Sequence, residues 1–321
     1  MMQSLMAVRL VSKVEAALDI VVLELAALDG GALPPFTAGA HIDVEVAPGT
    51  LRQYSLCNTP ADSARYRIGV LKDPASRGGS LAVHKLQAGD TIRISPPRNH
   101  FPLDPGAQRS LLFAGGIGVT PILCMAQQLS ELGADFTMHY CARSRQRAAF
   151  ADYLASCRFA DRVQLHLDDG AEAQKLDIDA ALGAAQAGTH IYVCGPGPFI
   201  QWVLGAAQAK GFPPGNLHRE YFAPTAPVAH DADGPFRVKL ASSGRIIDVP
   251  ADRSIVAVLA GIGIDIPTSC EYGVCGTCIT RVLEGEADHR DLVLTDAEKN
   301  EGRQFTPCCS RAKTPLLVID L

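Results

Sequence analysis

Four cysteines near the C-terminal end of this 321-residue chain have a spacing that could hold an iron–sulfur cluster. Three lie in the segment Cys270-Glu-Tyr-Gly-Val-Cys275-Gly-Thr-Cys278, and Cys308 follows after 29 further residues. A 2Fe–2S cluster needs two thiolates on each iron, and C-x4-C-x2-C followed by a distant cysteine is the plant-type ferredoxin spacing. Gly273 and Gly276 carry no Cβ, so backbone N–H groups of this loop can approach the sulfides. The sequence therefore predicts a plant-type 2Fe–2S site.

Other interpretations of these cysteines are less favoured. Zinc sites prefer paired short spacings such as a repeated C-x2-C, and three cysteines in a glycine-rich loop are poor candidates for simple packing. Cys308 and Cys309 are adjacent, which leaves open which of them is the fourth ligand. The remaining cysteines show no ligand-type spacing, and most of them are interpreted as small buried residues with inert thiols.

The residues around the cysteines predict a β-grasp ferredoxin fold. Segments 236–240 and 245–249 alternate in the manner of strands, and 316–321 is predicted to be a closing strand. Residues 254–260 are predicted to form a helix with Asp252 as its cap.

Residues 106–222 alternate between strand and helix patterns, which is typical of a doubly wound parallel sheet. The apolar strand 110–114 leads into the glycine-rich turn 115–121, and the strand 190–194 leads into Gly-Pro-Gly-Pro at 195–198. Nucleotides bind at the carboxyl ends of such strands, where both turns lie. The first turn lacks full G-x-G-x-x-G spacing, so tight packing is its alternative interpretation, but the second turn strengthens the case for a nucleotide.

The first 105 residues contain short alternating strands separated by Pro and Gly, which predicts an antiparallel barrel. In the segment 52–56, alternation places Arg52, Tyr54 and Leu56 on one face, where a cation and an aromatic ring could contact a phosphate and a flavin. The segment 77–80, Arg-Gly-Gly-Ser, precedes a predicted helix at 81–87 whose free N–H groups could bind a phosphate. The alternative is a surface arginine and an ordinary capped helix.

Together these patterns predict a multidomain protein, and 321 residues with 47% hydrophobic content are enough for two or three packed domains. The segment between the second and third domains is rich in Pro, Ala and Asp, as linkers are. The predicted parts are an antiparallel β-barrel at 1–105, an α/β doubly wound nucleotide-binding domain at 106–222, a linker at 223–235 and a C-terminal β-grasp 2Fe–2S ferredoxin domain at 236–321.

Composition excludes several classes of protein. The net charge of −5 argues against nucleic-acid binding, which usually requires a basic surplus. No run reaches the roughly 18 apolar residues of a membrane span, and residues 1–14 do not resemble a secretory signal. We expect a cytoplasmic protein with no nucleic-acid or membrane partner.

The order of these motifs resembles the phthalate dioxygenase reductase family, which includes the reductases of vanillate demethylase and carnitine monooxygenase. R-x-Y-S-L at 52–56 is followed by G-G-S at 78–80, G-G-I-G-V-T-P at 115–121, C-G-P at 194–196 and the ferredoxin cysteines. The resemblance spans essentially the whole chain, and the motifs are specific together although not singly. It implies that the antiparallel β-barrel is a flavin domain and that the α/β doubly wound domain is a nicotinamide-binding domain. The implied cofactors are NADH, a 2Fe–2S cluster and FMN, which is favoured over FAD.

The resemblance also implies which residues hold each group. The flavin residues are Arg52, Tyr54, Ser55, Leu56, Arg77, Gly79, Ser80, Thr120 and Phe222. The NADH residues are Gly116, Gly118, Cys194, Gly195 and Pro196. The cluster ligands are Cys270, Cys275, Cys278 and Cys308, because the family pattern places the fourth cysteine before a Ser-Arg pair.

Hydride transfer requires no general base, so no acid–base catalyst is assigned, although Thr120, Cys194 and Glu220 are expected near the flavin. Glu220 could tune the flavin, and the Phe222 ring is expected to cover it, with an ordinary core position as the alternative. Ser144, Arg145 and Arg147 follow the second strand, where a 2′-phosphate would sit in an NADPH enzyme. The resemblance favours NADH.

The combination of nicotinamide, flavin and iron–sulfur sites predicts an NADH-oxidising flavin and iron–sulfur oxidoreductase. Nicotinamide gives up two electrons as hydride, a 2Fe–2S cluster accepts one, and a flavin connects the two. By resemblance, the partner is an oxygenase component with a Rieske centre, as in aromatic catabolism, and we expect the reductase to be a monomer.

Three rival functions stay open at this level. The same electron-transfer chain could serve a cytochrome P450. The protein could be a non-catalytic 2Fe–2S redox carrier or sensor, which the flavin and nicotinamide motifs disfavour. It could also be a flavin reductase with a vestigial cluster, which the intact cysteine spacing disfavours.

Overall fold

The computed structural model describes residues 5–48, 50–73, 78–222, 234–268, 271–274 and 276–321. The chain divides into two compact units, one ending at Phe222 and the other beginning at Ala223. Within the described residues, no helix is both long and apolar enough to cross a membrane.

The first sheet is antiparallel and has six strands in the order β4-β3-β6-β1-β2-β5. Its elements in chain order are β1 (Met6–Ala17), β2 (Ile20–Ala27), β3 (His41–Ala47), β4 (Thr50–Ser55), β5 (Tyr66–Leu71), α1 (Gly79–Lys85) and β6 (Thr91–Ile94).

The sheet closes into a barrel because its two edge strands meet. Leu56, directly after β4, forms an antiparallel bridge with Ile68 of β5. Since side chains alternate across a strand, every second residue points into the barrel. Fully buried inner side chains include Leu10, Leu23, Leu25, Ile42, Leu56, Tyr66 and Ile68.

The second sheet is parallel and has five strands in the order β11-β10-β7-β8-β9. Its elements are β7 (Arg109–Gly115), α2 (Val119–Glu131), β8 (Asp135–Ala142), α3 (Ala151–Ser156), β9 (Val163–Leu167), α4 (Ile178–Leu182), β10 (Thr189–Cys194), α5 (Gly197–Ala209) and β11 (Leu217–Glu220). The winding direction reverses between β7 and β10, and ligands of open α/β sheets bind at such a point. Both predicted glycine turns lie there.

The C-terminal unit contains a mixed sheet in the order β13-β12-β18-β14-β16, in which β12 and β18 are parallel, and a ribbon of β15 and β17. Its elements are β12 (Phe236–Leu240), β13 (Ile246–Val249), α6 (Ile255–Ala260), β14 (Thr280–Glu284), β15 (Ala287–Asp288), α7 (Asp296–Glu301), β16 (Gln304–Phe305), β17 (Arg311–Ala312) and β18 (Leu316–Ile319). A barrel, a doubly wound sheet and a ferredoxin-type sheet confirm the predicted fold class.

Two local predictions were wrong. The cap of α6 is Ser254, whose Oγ accepts a hydrogen bond from the Ala257 N–H, so the predicted cap Asp252 lies too early in the chain. Helix α1 begins at Gly79 rather than Leu81, because Gly78 adopts φ 98° and turns the chain into the helix directly at the glycine pair.

Candidate active site and iron–sulfur site

The predicted flavin motif lies on β4 and at its end. Tyr54 and Arg52 pair with Ile42 and Val44 of β3, and both side chains are half-buried. Leu56 is fully buried in the barrel core, so its side chain is covered by protein atoms. Burial raises the pKa of Tyr54 to about 12, which keeps its phenol protonated as a hydrogen-bond donor.

Gly79 provides a close approach between β4 and α1. A Cβ at this position would lie 2.8 Å from Cγ and 2.9 Å from Nε of Arg52, so only glycine lets the Arg52 side chain lie across the start of the helix. The other end of α1 is held by Lys13, whose Nζ donates to the carbonyls of His84 and Leu86 at 2.5 and 2.9 Å. The predicted residue Arg77 lies outside the described residues. A cradle with one guanidinium at a helix start fits a phosphate group.

The two glycine turns of the parallel sheet pack directly against each other. A Cβ at Gly118 would lie 2.3 Å from the Cys194 carbonyl oxygen, and one at Gly195 would lie 2.9 Å from Cα of Gly115. Gly116 adopts φ 55°, and apart from its chain neighbours no atom of the described residues lies within 4 Å of its hypothetical Cβ. Gly118 is therefore required for packing, whereas Gly116 leaves open backbone for a ligand. Pro196 is the residue before α5.

Thr120 connects the parallel sheet to the barrel. Its side chain is 1% exposed, its Oγ1 donates to the Ile117 carbonyl at 3.0 Å, and its methyl carbon lies 2.8 Å from where a Cβ of Gly69 on β5 would stand. The absence of a side chain at Gly69 thus lets Thr120 reach the barrel. No sequence pattern indicates this contact, because Gly69 lies inside an ordinary strand pattern.

Ser55, Cys194 and Glu220 meet where the barrel and the parallel sheet adjoin. Ser55 Oγ donates a hydrogen bond to Glu220 Oε2 at 3.2 Å, and Glu220 stands beside Cys194 in the parallel register of β11 and β10. Burial raises the pKa of Glu220 to about 8 despite the hydrogen bond from Ser55, which lowers it. Burial, and then the Glu220 charge, hold the pKa of the Cys194 thiol well above its usual range. At neutral pH this corner therefore contains a protonated carboxyl group and an inert thiol.

These contacts bring together residues from distant parts of the chain. The end of β4, the end of β11 and the end of β10 converge on one corner, with Thr120 beside the barrel. Phe222, two residues after Glu220, is 41% exposed, so it is not the ordinary core residue that was its alternative interpretation. An exposed ring, a protonated carboxyl group and open glycine backbone suit a flat, uncharged ring system.

The cysteine region of the second unit is partly described. Cys278 and Cys308 are buried, at 2% and 7% exposure, while Cys270 and Cys275 lie outside the described residues. Gly273 and Gly276 adopt φ 73° and 70°, a conformation that bulkier residues avoid. The Cys309 Sγ lies 2.4 Å from where a Cβ of Gly273 would stand and 3.3 Å from Thr306 Oγ1.

These positions fit a cluster held between two loops. The loop glycines turn the chain sharply, and two buried thiols supply part of a four-thiolate donor set, which is the chemistry that a 2Fe–2S cluster requires. Two of the four proposed ligands lie outside the described residues, and among the described ones no group of three or more His, Cys, Asp or Glu side chains could hold a metal ion.

Two family models match parts of the chain. A model of 2Fe–2S iron–sulfur cluster binding domains matches residues 238–313, and one of the dimethylamine monooxygenase subunit DmmA-like N-terminal domain matches residues 90–217. The chain is 57% identical to the vanillate O-demethylase oxidoreductase of Pseudomonas sp. (strain HR199 / DSM 7063), over 95% of this chain and 96% of that relative.

Two solved structures extend the comparison. An intact type IV self-sufficient cytochrome P450 monooxygenase matches 99% of this chain at 38% identity with a TM-score of 0.88, although the chain spans only 41% of that longer protein. Phthalate dioxygenase reductase, described as a modular structure for electron transfer from pyridine nucleotides to [2Fe–2S], has a TM-score of 0.74 and 40% identity, with 99% of this chain and 98% of that chain covered.

The chain belongs to the phthalate dioxygenase reductase family.

As a member of the phthalate dioxygenase reductase family, the protein is an NADH-dependent oxidoreductase, the reductase component of an oxygenase system, to whose oxygenase it passes electrons. FMN, NADH and a 2Fe–2S cluster are its cofactors, which confirms the prediction from sequence. The contact of Ser55 with Glu220 gives this family member a feature that the motifs did not reveal, since the two residues are 165 positions apart.

Proposed function

We propose that this chain is the reductase of a vanillate O-demethylase and that its oxygenase partner carries a Rieske centre. The observation that carries the substrate class is the 57% identity to a vanillate O-demethylase oxidoreductase over 95% of the chain. The flavin, when bound, exchanges two electrons with NADH as hydride and single electrons with the iron–sulfur cluster. The polypeptide binds and orients these groups and controls the charge around them.

The flavin is assigned to the barrel edge and its neighbours. Arg52 lies across the start of α1 through the cradle at Gly79, which supports a phosphate position there. The full proposed set is Arg52, Tyr54, Ser55, Leu56, Arg77, Gly79, Ser80, Thr120 and Phe222. Leu56 contributes backbone only, because its side chain fills the barrel core.

NADH is assigned to the carboxyl ends of β7 and β10. The open backbone at Gly116 supports direct contact with the dinucleotide, while Gly118 and Gly195 keep the two turns together. Cys194 and Pro196 complete the proposed set beside the nicotinamide. The Cys194 thiol is buried and neutral, so its role is to shape the site rather than to react.

The preference for NADH has a proposed electrostatic basis. Two of the three arginines that follow β8 are engaged by carboxylates, Arg145 by Asp152 and Arg147 by Asp19 at 3.5 Å. A 2′-phosphate would have to compete with these carboxylates for the guanidinium groups. We expect the double variant Asp19→Asn with Asp152→Asn to raise kcat/KM for NADPH and leave that for NADH nearly constant. If the ratio of kcat/KM for NADPH to kcat/KM for NADH did not change, other residues would discriminate between the two coenzymes.

Cys270, Cys275, Cys278 and Cys308 are the proposed cluster ligands. Cys309 is adjacent to Cys308 and lies against Gly273, so substituting each cysteine in turn tests which of the two is the fourth ligand. We expect Cys308→Ser to lose most of the iron, labile sulfide and visible cluster absorbance, and Cys309→Ser to keep them. The reverse result would exchange the two roles.

The proposed first domain ends at residue 105 and the second at residue 222. A linker follows at 223–235, and the ferredoxin domain spans 236–321. Limited proteolysis should then cut first within the linker and leave two stable fragments. We also propose that the protein is a cytoplasmic monomer. Size-exclusion chromatography with light scattering tests the monomeric state.

The decisive experiment is reconstitution. The purified reductase, NADH and a Rieske-type vanillate oxygenase should convert vanillate with NADH consumption coupled to product, and phthalate with a phthalate oxygenase should give much slower turnover. A second candidate, service to a cytochrome P450, is favoured by the match to the self-sufficient P450 structure. Efficient coupling to a P450, without coupling to any Rieske oxygenase, would replace the first proposal with the second.

A further inference from the structure

Residues 289–294 form a bridge between the two loops that carry the proposed cluster ligands. The N–H groups of Leu292 and Val293 donate to the Gly273 carbonyl at 2.9 and 3.2 Å, in the loop of three cysteines. The N–H of Arg290 donates to Ser310 Oγ at 3.2 Å, two residues beyond Cys308. The bridge therefore links the segment around Gly273 to the segment that follows Cys308.

Asp291 at the centre of this bridge is a buried carboxylate. Its side chain is fully buried, and Oδ2 accepts a hydrogen bond from the Leu294 N–H at 2.8 Å. Lys299 Nζ lies 3.8 Å from Oδ2 and donates to the Asp291 carbonyl at 2.6 Å. His289 Nδ1 lies 3.4 Å from Oδ1, and among the described residues neither of these two atoms has a hydrogen-bond partner.

Asp291 packs directly against the loop of three cysteines through its Cα and Cβ. Gly273 adopts φ 73°, and a Cβ there would lie 2.8 Å from both Cα and Cβ of Asp291. Gly273 lies between Cys270 and Cys275 in the sequence, so Asp291, whose side chain is excluded from water, packs against the loop that carries proposed cluster ligands. A structural role alone does not require a charge here, because an amide could also accept the Leu294 N–H.

We propose that Asp291 is a positioning and tuning residue, which holds the two cysteine loops together and lowers the reduction potential of the 2Fe–2S cluster. The proposal rests on the proposed cysteine ligands. Adding an electron to the cluster is less favourable beside a fixed negative charge, and a site shielded from water screens that charge weakly. Lys299 opposes this effect, because its ammonium group is a positive charge 3.8 Å from Oδ2 of Asp291.

Paired substitutions of opposite sign test the proposal. In full-length holoprotein, the midpoint potential of the cluster is measured by EPR-monitored redox titration for Asp291→Asn and Lys299→Met. Asn keeps an oxygen for the Leu294 N–H and removes the charge. We expect the cluster potential to become more positive in Asp291→Asn and more negative in Lys299→Met, while the flavin potential stays constant. Asp320→Asn, an exposed carboxylate of the same unit, is the matched control and should not shift the potential.

The outcomes separate the possible roles. Shifts of opposite sign support tuning by charge, whereas shifts of the same sign in both variants, or none in either, would overturn it. If Asp291→Asn retains no cluster, Lys299→Met decides alone, and a potential that does not become more negative refutes the proposal. Faster loss of iron to a chelator in Asp291→Asn supports the positioning role, and an unchanged rate refutes it. Absence of a cluster EPR signal in the wild type would instead contradict the ligand assignment.

Discussion

The protonated state of Glu220 makes stability depend on pH in a defined direction. Burial raises the pKa of this carboxyl group from 4.5 to about 8. Because the folded-state pKa lies above that of the unfolded chain, the folded protein keeps the proton between these values, and stability falls as the pH rises through that window. Each pH unit within the window costs about 1.36 kcal/mol, so the wild type loses roughly 3.5 kcal/mol between pH 5 and pH 8. The variant Glu220→Gln has no such loss.

The measurement uses a reporter that the chain already contains. Trp202 is the single tryptophan and lies on α5 in the same unit as Glu220, so its fluorescence follows urea unfolding of that unit. FMN is removed first, because bound ligand would add its own pH-dependent stabilisation. The difference in unfolding free energy between Glu220→Gln and the wild type should grow by roughly 3.5 kcal/mol from pH 5 to pH 8.

The matched control is Glu172→Gln, which removes an exposed carboxylate from the same unit and should follow the wild type at every pH. The reasoning is refuted if the unfolding free energies of Glu220→Gln and the wild type change in parallel from pH 5 to pH 8. Glu220 would then ionise in the folded protein as it does in the unfolded chain.

Three further substitutions have expected outcomes. Gly118→Ala forces a Cβ against a carbonyl oxygen at 2.3 Å and should cost about 1–3 kcal/mol in urea unfolding, whereas Gly205→Ala on an open helix face should be neutral or stabilising. Lys13→Met removes two hydrogen bonds to carbonyls at the end of α1 and should lower the free energy of unfolding by about 1–3 kcal/mol. Identical urea unfolding curves for this variant and the wild type would contradict this expectation. Gly79→Ala pushes Arg52 away from the helix start and should weaken FMN binding in a fluorescence titration, while an unchanged Kd would separate this cradle from the phosphate site.

The sequence by itself determined the fold class, the cofactors and the family. Cysteine spacing depends on local chain geometry, and the order of glycine turns and strands follows from alternation and backbone freedom, so both can be inferred without coordinates. The cap of α6 was misplaced by two residues, because Asp252 and Ser254 are both suitable capping residues, and only the observed hydrogen bond from Ala257 distinguishes them.

Only the tertiary structure decided which distant residues share an environment. Ser55 and Glu220 come from different sheets, and the raised pKa of Glu220 follows from the number of protein atoms around it, which no local pattern encodes. The same holds for Asp291, which looks like a surface carboxylate in a charged stretch but is fully buried against Gly273. Burial and long-range contact are properties of the packed chain, so the sequence specified the chemistry that is present and the packing decided where its charges act.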